Sequence, residues 1–208
     1  MSFNLFDRVL YINLNHRKDR KQTFLKEAKR VGIRKVQRID AKFDLLNGNR
    51  GCLCSHIRAL ECAKQEGITL ILEDDCYFTK DLELLNRQLS EFFNVFGNKW
   101  DVFFLGGRYE KLEPIKNTAF CRILESARSH AYAVNGHYVS TLKQCFLDGY
   151  KDDLREKGAI DILKALDVIW RPLQKKDLWY AGKIKVAYQS HSFSDITGYS
   201  RFERKYNH

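Results

Sequence analysis

Short apolar or aromatic runs alternate with amphipathic stretches through the first half of the chain, and this alternation restricts the fold most. The runs are RVLYINL (8–14), KVQRI (35–39), ITLILE (68–73) and WDVFFL (100–105), which read as strands. Between them, helical spacing predicts one helix ending at Val31, with Phe24, Leu25, Ala28 and Val31 on one face. A second runs from about Cys52 to Glu66, with Leu53, Ile57 and Leu60 inward, after a polar loop through Asn47 and Gly51. A third covers Asp81 to Phe96, with Leu82, Leu85, Leu89, Phe92, Phe93 and Phe96 together. Gly32, Gly67 and Gly97 are fitting helix stops. This order implies an α/β fold with a largely parallel central sheet and helices on both faces.

Beyond Leu105 the pattern changes. Gly106-Gly107 predicts a close-approach turn. Thr118–Ile123 and His130–Val134 predict two short strands, and Asn135 a cap for a helix over 136–146. Asp152–Trp170 reads as helix in one or two pieces, and Lys183–Tyr188 as a last strand. Tyr132 and Tyr138 read as core before acceptor contacts.

A chain of 208 residues, 44% hydrophobic and 30% charged, suits one domain with a substantial core. The N-terminus does not read as a signal peptide, and no apolar run is long enough to span a bilayer, so a cytoplasmic protein is expected. Cys52, Cys54, His56 and Cys62 lack paired C-x2-C spacing, which makes buried free thiols the first reading of the six cysteines and zinc the lesser one. The net charge of +10 points to an anionic partner: a nucleotide diphosphate, a nucleic acid or an acidic surface.

Glu73-Asp74-Asp75 follows the ITLIL run, at a strand's carboxyl end, where α/β folds collect ligands. In extended geometry Glu73 and Asp75 share one side and Asp74 takes the other. Adjacent carboxylates repel unless neutralised, so a hard divalent cation and a plain solvated turn both stand as readings. Asn13, Arg17 and Arg20 end or follow the first strand, where an arginine can fork onto phosphate. Ser55-His56 is expected near a helix N-terminus, a position that favours anions.

Taken in order, VLYINLNHRKDR (9–20), GCLCSHIRAL (51–60), ILEDDC (71–76), DVFFLGG (101–107), HAYAVNGHYVSTL (130–142), ALDVIW (165–170) and QSHSFSDI (189–196) resemble family 25 glycosyltransferases. That group includes bacterial lipooligosaccharide galactosyltransferases and collagen hydroxylysine galactosyltransferases. One departure is Leu166 before Asp167, where the family usually has Pro or Val. The resemblance implies a GT-A-like nucleotide-diphospho-sugar transferase fold, with a nucleotide-sugar half (1–107) and an acceptor half (108–208). It implies a UDP-sugar donor, Mn2+ or Mg2+ as cofactor, inversion at the anomeric carbon, and a glycan or hydroxylysine-type acceptor. By the same resemblance Asp75, Asp74 and His191 would hold the metal. Asn13, Arg17, Arg20, Ser55, His56, Glu73, Asp74, Gly106, Gly107, Ser194 and Asp195 would contact the donor or substrate. An inverting displacement also needs a base in the acceptor half. Among Asp152, Asp153, Asp161 and Asp167, only Asp167 falls in the late motif; a helix cap or a partner for Arg171 is its plainer role.

Two rivals stand beside this reading. A basic nucleic-acid or polyanion-binding protein explains the charge but leaves the acidic triplet unused, and no nucleic-acid motif appears. A GT-A fold that binds sugar nucleotide without transferring it is indistinguishable by sequence.

Overall fold

The parallel sheet expected of the first half is present. In the computed structural model, which describes residues 2–155 and 165–190, β1 (Arg8–Asn13) pairs in parallel with β2 (Gln37–Asp40) on one side and β3 (Ile68–Glu73) on the other. The full order is β2-β1-β3-β6-β5-β7, and β6 alone runs against the rest.

Helix α1 (Lys18–Arg30) buries Phe24 and Ala28, but Leu25 is exposed, one position off the buried stripe. Helix α2 spans Gly48–Glu61, so it starts earlier and stops sooner than expected. Asn47 caps it by accepting the Arg50 N–H at 3.0 Å, which turns the expected polar loop into the first helical turn. Gly51 lies within it: a Cβ there would stand 2.6 Å from the Lys42 carbonyl oxygen, so its absence lets the loop after β2 lie against the helix. Helix α3 (Leu82–Phe96) is capped by Asp81, which accepts the Leu84 N–H at 2.8 Å. Short β4 (Cys76–Phe78), missed by the sequence reading, pairs antiparallel with β8 (Ala187–Gln189).

The second half corrects several expectations. There is no turn at Gly106-Gly107, because β5 continues from Val102 to Pro114, across the 107 boundary between the expected halves. Likewise the expected strands over Thr118–Ile123, from Phe120 on, and His130–Val134 belong to one long strand, β6 (Phe120–Asn135). The polar stretch Glu125–Arg128 interrupts the apolar pattern but not the hairpin, which absorbs it through register shifts. Asn135 does not cap with its side chain; its amide donates to the Trp100 carbonyl at 3.1 Å. A 3-10 turn (Gly136–Tyr138) leads into α4 (Val139–Arg155). Then come α5 (Leu166–Ile169), α6 (Arg171–Lys176) and β7 (Trp179–Gly182), which pairs in parallel with β5. The expected strand over Lys183–Tyr188 is confined to β8, and Asp161 lies outside the described residues.

Two apolar layers sandwich the sheet. One gathers Phe24, Leu70, Leu72, Leu89, Phe92, Trp100 and Phe103 beneath α1 and α3. The other gathers Leu53, Leu60, Ile71, Phe104, Tyr132, Phe146 and Trp170 beneath α2, α4 and α5. Each fully buried large side chain contributes roughly 1.5–3 kcal/mol. Among the described residues, no helix is long and apolar enough to cross a membrane.

Candidate functional site

The parallel strands β1 and β3 end side by side at Asn13 and Glu73, and a cavity of about 110 Å³ opens there. Of the residues singled out in sequence, Asn13, Arg20, Ser55, His56, Glu73, Asp74 and Asp75 all line it. Distant segments thus meet where open α/β sheets bind their ligands.

The three acidic residues have three different surroundings. Asp74 is buried and its two oxygens are engaged: Asn13 Nδ2 donates to one at 2.7 Å and Arg20 to the other at 3.0 Å. Asn13 is itself fixed by the Arg38 guanidinium, which donates to its side-chain oxygen at 3.1 Å. Even so, burial outweighs Arg20 and Asn13 and pushes the Asp74 carboxyl above its usual range.

Asp75 is less well satisfied. Gln189 donates to its Oδ2 at 3.1 Å and Arg20 lies 3.6 Å from the same oxygen, but its buried Oδ1 has no hydrogen-bond partner. Burial, followed by repulsion from Glu73, lifts its carboxyl to about 7, with Arg20 offsetting only part. The Ser190 N–H donates to the Asp75 carbonyl at 2.8 Å, so the described chain returns to the triplet before it ends.

Glu73 faces α2 and β6. Ser129 Oγ donates to it at 2.6 Å, and His56 Nε2 lies 3.5 Å away. Burial opposes its ionisation, but His56 and the Ser129 hydroxyl prevail and hold its carboxyl below the ordinary range. His56 Nδ1 meets the Tyr132 hydroxyl at 3.0 Å. His130 is also buried nearby, and burial depresses it to about 4, so it is neutral at physiological pH.

Not every sequence candidate sits as expected. Ser55 and His56 are not at a helix N-terminus but well inside α2, so the anion-binding argument for them does not hold. Ser55 accepts the Lys42 N–H at 2.8 Å and donates to the Gly51 carbonyl at 2.6 Å, which pins the loop after β2. Arg17 pairs with Asp19 at 2.9 Å and is not among the lining residues. Gly106 and Gly107 are not either: a Cβ on Gly106 would stand 1.9 Å from the Ala187 carbonyl oxygen, so it admits the returning chain at β8. Asp167 accepts the Arg128 N–H at 2.8 Å. Arg171 donates to its carbonyl, not its carboxylate, and forms ion pairs with Glu125 and Glu110 instead. His191, Ser194 and Asp195 lie outside the described residues.

No family model and no curated protein matches the chain. Among solved structures it is similar to a nucleoside-diphosphate-sugar pyrophosphorylase from Vibrio cholerae, at 12% identity and a TM-score of 0.41 over 87% of this chain and 75% of that one. It is similar to a mannose-1-phosphate geranyltransferase from Thermus thermophilus, at 12% identity and a TM-score of 0.43 over 84% and 72%. A third is a glycosyltransferase involved in glycosylation of the major capsid of PBCV-1, at 9% identity and a TM-score of 0.41 over 85% and 92%. Likeness of this degree leaves the chemistry to be argued from the cavity.

Sequence reasoning missed Ser129 and Gln189, which reach the carboxylates, and gave Cys52, which lines the cavity, only the lesser zinc reading. Ser129 follows Arg128, whose φ of 70° is in the left-handed region. This dipeptide binds Asp167 through one residue and Glu73 through the next. A polar SARS stretch was the only sign of it.

Proposed function

We propose that the protein is a metal-dependent inverting glycosyltransferase of GT-A-like fold. It would move a galactose or glucose from a UDP-sugar to a glycan or hydroxylysine-type hydroxyl. The observation that carries this reading is Asp75: a carboxylate with one buried, unpartnered oxygen, beside two more carboxylates and facing one arginine. Such a group fits a hard divalent cation, Mn2+ or Mg2+, which takes oxygen ligands.

Asp75 would hold that cation, with His191, one residue past the Ser190 contact, as a late ligand. Asp74 would be held for it by Asn13 and Arg20, leaving only its remaining lone pairs for metal-bound water or ribose. When bound, the cation neutralises the diphosphate leaving group, whose charge grows in the transition state. Arg20, already between Asp74 and Asp75, brings a second positive charge to the same place. Asp167 is the proposed base for the acceptor hydroxyl. What supports it is its link to the triplet through adjacent residues: Asp167 accepts the Arg128 N–H at 2.8 Å, and Ser129 donates to Glu73 at 2.6 Å.

Thermal unfolding with UDP, with and without Mn2+, tests the donor site. A ligand that binds only the folded state at about 100-fold over its Kd adds about 2.7 kcal/mol. The expected result is a UDP-dependent rise in Tm that Mn2+ enlarges. No shift at millimolar UDP and Mn2+ would remove the donor site. Asp167→Asn is expected to keep that shift while transfer falls by roughly 10²–10⁴-fold; near-normal transfer moves the base elsewhere.

A further inference from the structure

We propose that Cys52, His56 and Glu73 form a second metal site, suited to Zn2+ or a similar transition ion and separate from the hard-cation position at Asp75. Cys52 and His56 stand four residues apart on α2 and so share one face, while Glu73 reaches them from the end of β3. One ligand atom from each lies within 4.8 Å of the others. A tetrahedral Zn2+, bound at about 2.0–2.3 Å, needs its ligand atoms nearer to roughly 3.5 Å apart, so modest side-chain rotation completes the site.

The independent sign is His56. It is 1% exposed, and its Nε2 has no hydrogen-bond partner although it points toward Glu73. A buried ring nitrogen without a partner is costly unless something fills the place. Its other nitrogen meets the Tyr132 hydroxyl, the outer contact that fixes the ring and tautomer of metal-binding histidines. Ser129 orients Glu73 in the same way.

A Cys-His-Glu relay for nucleophilic catalysis is the competing use of these residues. In a relay the two imidazole nitrogens face different members. Here Nε2 faces Glu73 at 3.5 Å while the Tyr132 hydroxyl takes Nδ1, and ligand atoms of all three residues gather within 4.8 Å, which suits a cation. A thiolate and a carboxylate would neutralise a divalent ion, and the sulfur selects Zn2+ over Mg2+ or Mn2+. Three protein ligands leave a fourth position open to the cavity. Glu73 is shared with the expected donor contacts, but Co2+ binding is read without UDP and so apart from the donor reading.

The test is titration of the reduced, chelator-stripped full chain with Co2+. The expected result is one equivalent bound, with a thiolate-to-cobalt charge-transfer band and tetrahedral d–d bands that Zn2+ abolishes. Cys52→Ser should lose the charge-transfer band, and Glu73→Gln should weaken Co2+ binding at least about tenfold. Cys54→Ser and Asp75→Asn should keep the band, the latter separating this site from the proposed donor cation. Circular dichroism confirms folding of each variant; if Cys52→Ser does not fold, Cys52→Ala and Glu73→Gln decide. No band in the wild type, a band that survives loss of the Cys52 sulfur, or one that depends on Cys54 overturns the proposal.

Discussion

Beneath α1 and α3 the sheet is covered by stacked rings: Phe92 lies 3.7 Å from Phe103, centroid to centroid, and edge-on to Trp100 and Phe120. Beneath α2, α4 and α5 the opposite face is equally aromatic, with Phe104, Tyr132, Trp170 and Trp179 in mutual contact. Yet this second layer also holds the His56–Tyr132 pair and the Gln174–Ser126 pair in its interior. Where it meets the strand ends it gives way to Asn13, Ser55, Asp74 and Ser129, all buried. The first layer is mostly what packing alone produces, although Gln88 of α3 is buried in it. The second accepts the desolvation of polar groups, and stability gives no reason to do so. The difference predicts opposite signs for removing the ring of Phe92 and the charge of Asp75.

The largest effect belongs to the first layer. Phe92→Ala removes the ring at the centre of the aromatic cluster and should lower the unfolding free energy by about 3–5 kcal/mol, read by urea denaturation. The increment in stability from UDP with Mn2+ should be unchanged, since Phe92 does not line the cavity. A reduced increment would mean that the two layers are not independent.

Asp75→Asn should go the other way. The folded carboxyl titrates at about 7, above its ordinary 3.8, so the folded chain holds its proton over a range where the unfolded chain has released it. Stability is therefore lost as pH rises between those values, and an amide cannot ionise. Metal-free Asp75→Asn should exceed the wild type by roughly 1–4 kcal/mol at about pH 8 and show little gain at about pH 3. Glu73 has a depressed carboxyl and acts with the opposite sign, but only at acid pH, and the raised Asp74 carboxyl is common to both proteins, so above about pH 5 the difference between them reports chiefly on Asp75. An Asn variant less stable than the wild type throughout that range would end the contrast between the layers.

How much of this the sequence displayed differs by layer as well. Period and glycine stops gave β1, α1, β3 and α3 nearly to their ends, because the helices bury one clear face and the strands are apolar on both. The acidic triplet was visible too, since its charge contradicts a core strand, and Arg20 by its place after β1. What hid were features made by contact rather than pattern. Gly106 looks like a turn but serves the close passage of Ala187, which only the fold brings there. Gly48–Gly51 looks like a loop until Asn47 caps it into α2. Ser129 sits among residues too polar to read as strand, and its bond to Glu73 spans 56 positions.

The smallest effect tests the contrast at the level of one hydroxyl. Tyr132 and Tyr180 are both buried and both packed on rings, Tyr132 against Phe104 and Tyr180 against Phe96 at 4.3 Å. They differ in their oxygens. Tyr132 Oη lies 3.0 Å from His56 Nδ1, whereas the Tyr180 hydroxyl makes no side-chain hydrogen bond among the described residues. Tyr132→Phe strands the ring nitrogen of a buried histidine, which costs about 1–3 kcal/mol. Tyr180→Phe strands nothing and should stay within about 0.5 kcal/mol of the wild type. In the double variant Tyr132→Phe, His56→Leu the stranded nitrogen is gone, so much of the Tyr132→Phe loss should return. Equal costs for the two tyrosines, measured by urea denaturation, would show that the His56–Tyr132 pair is incidental to the second layer and not part of what organises its site.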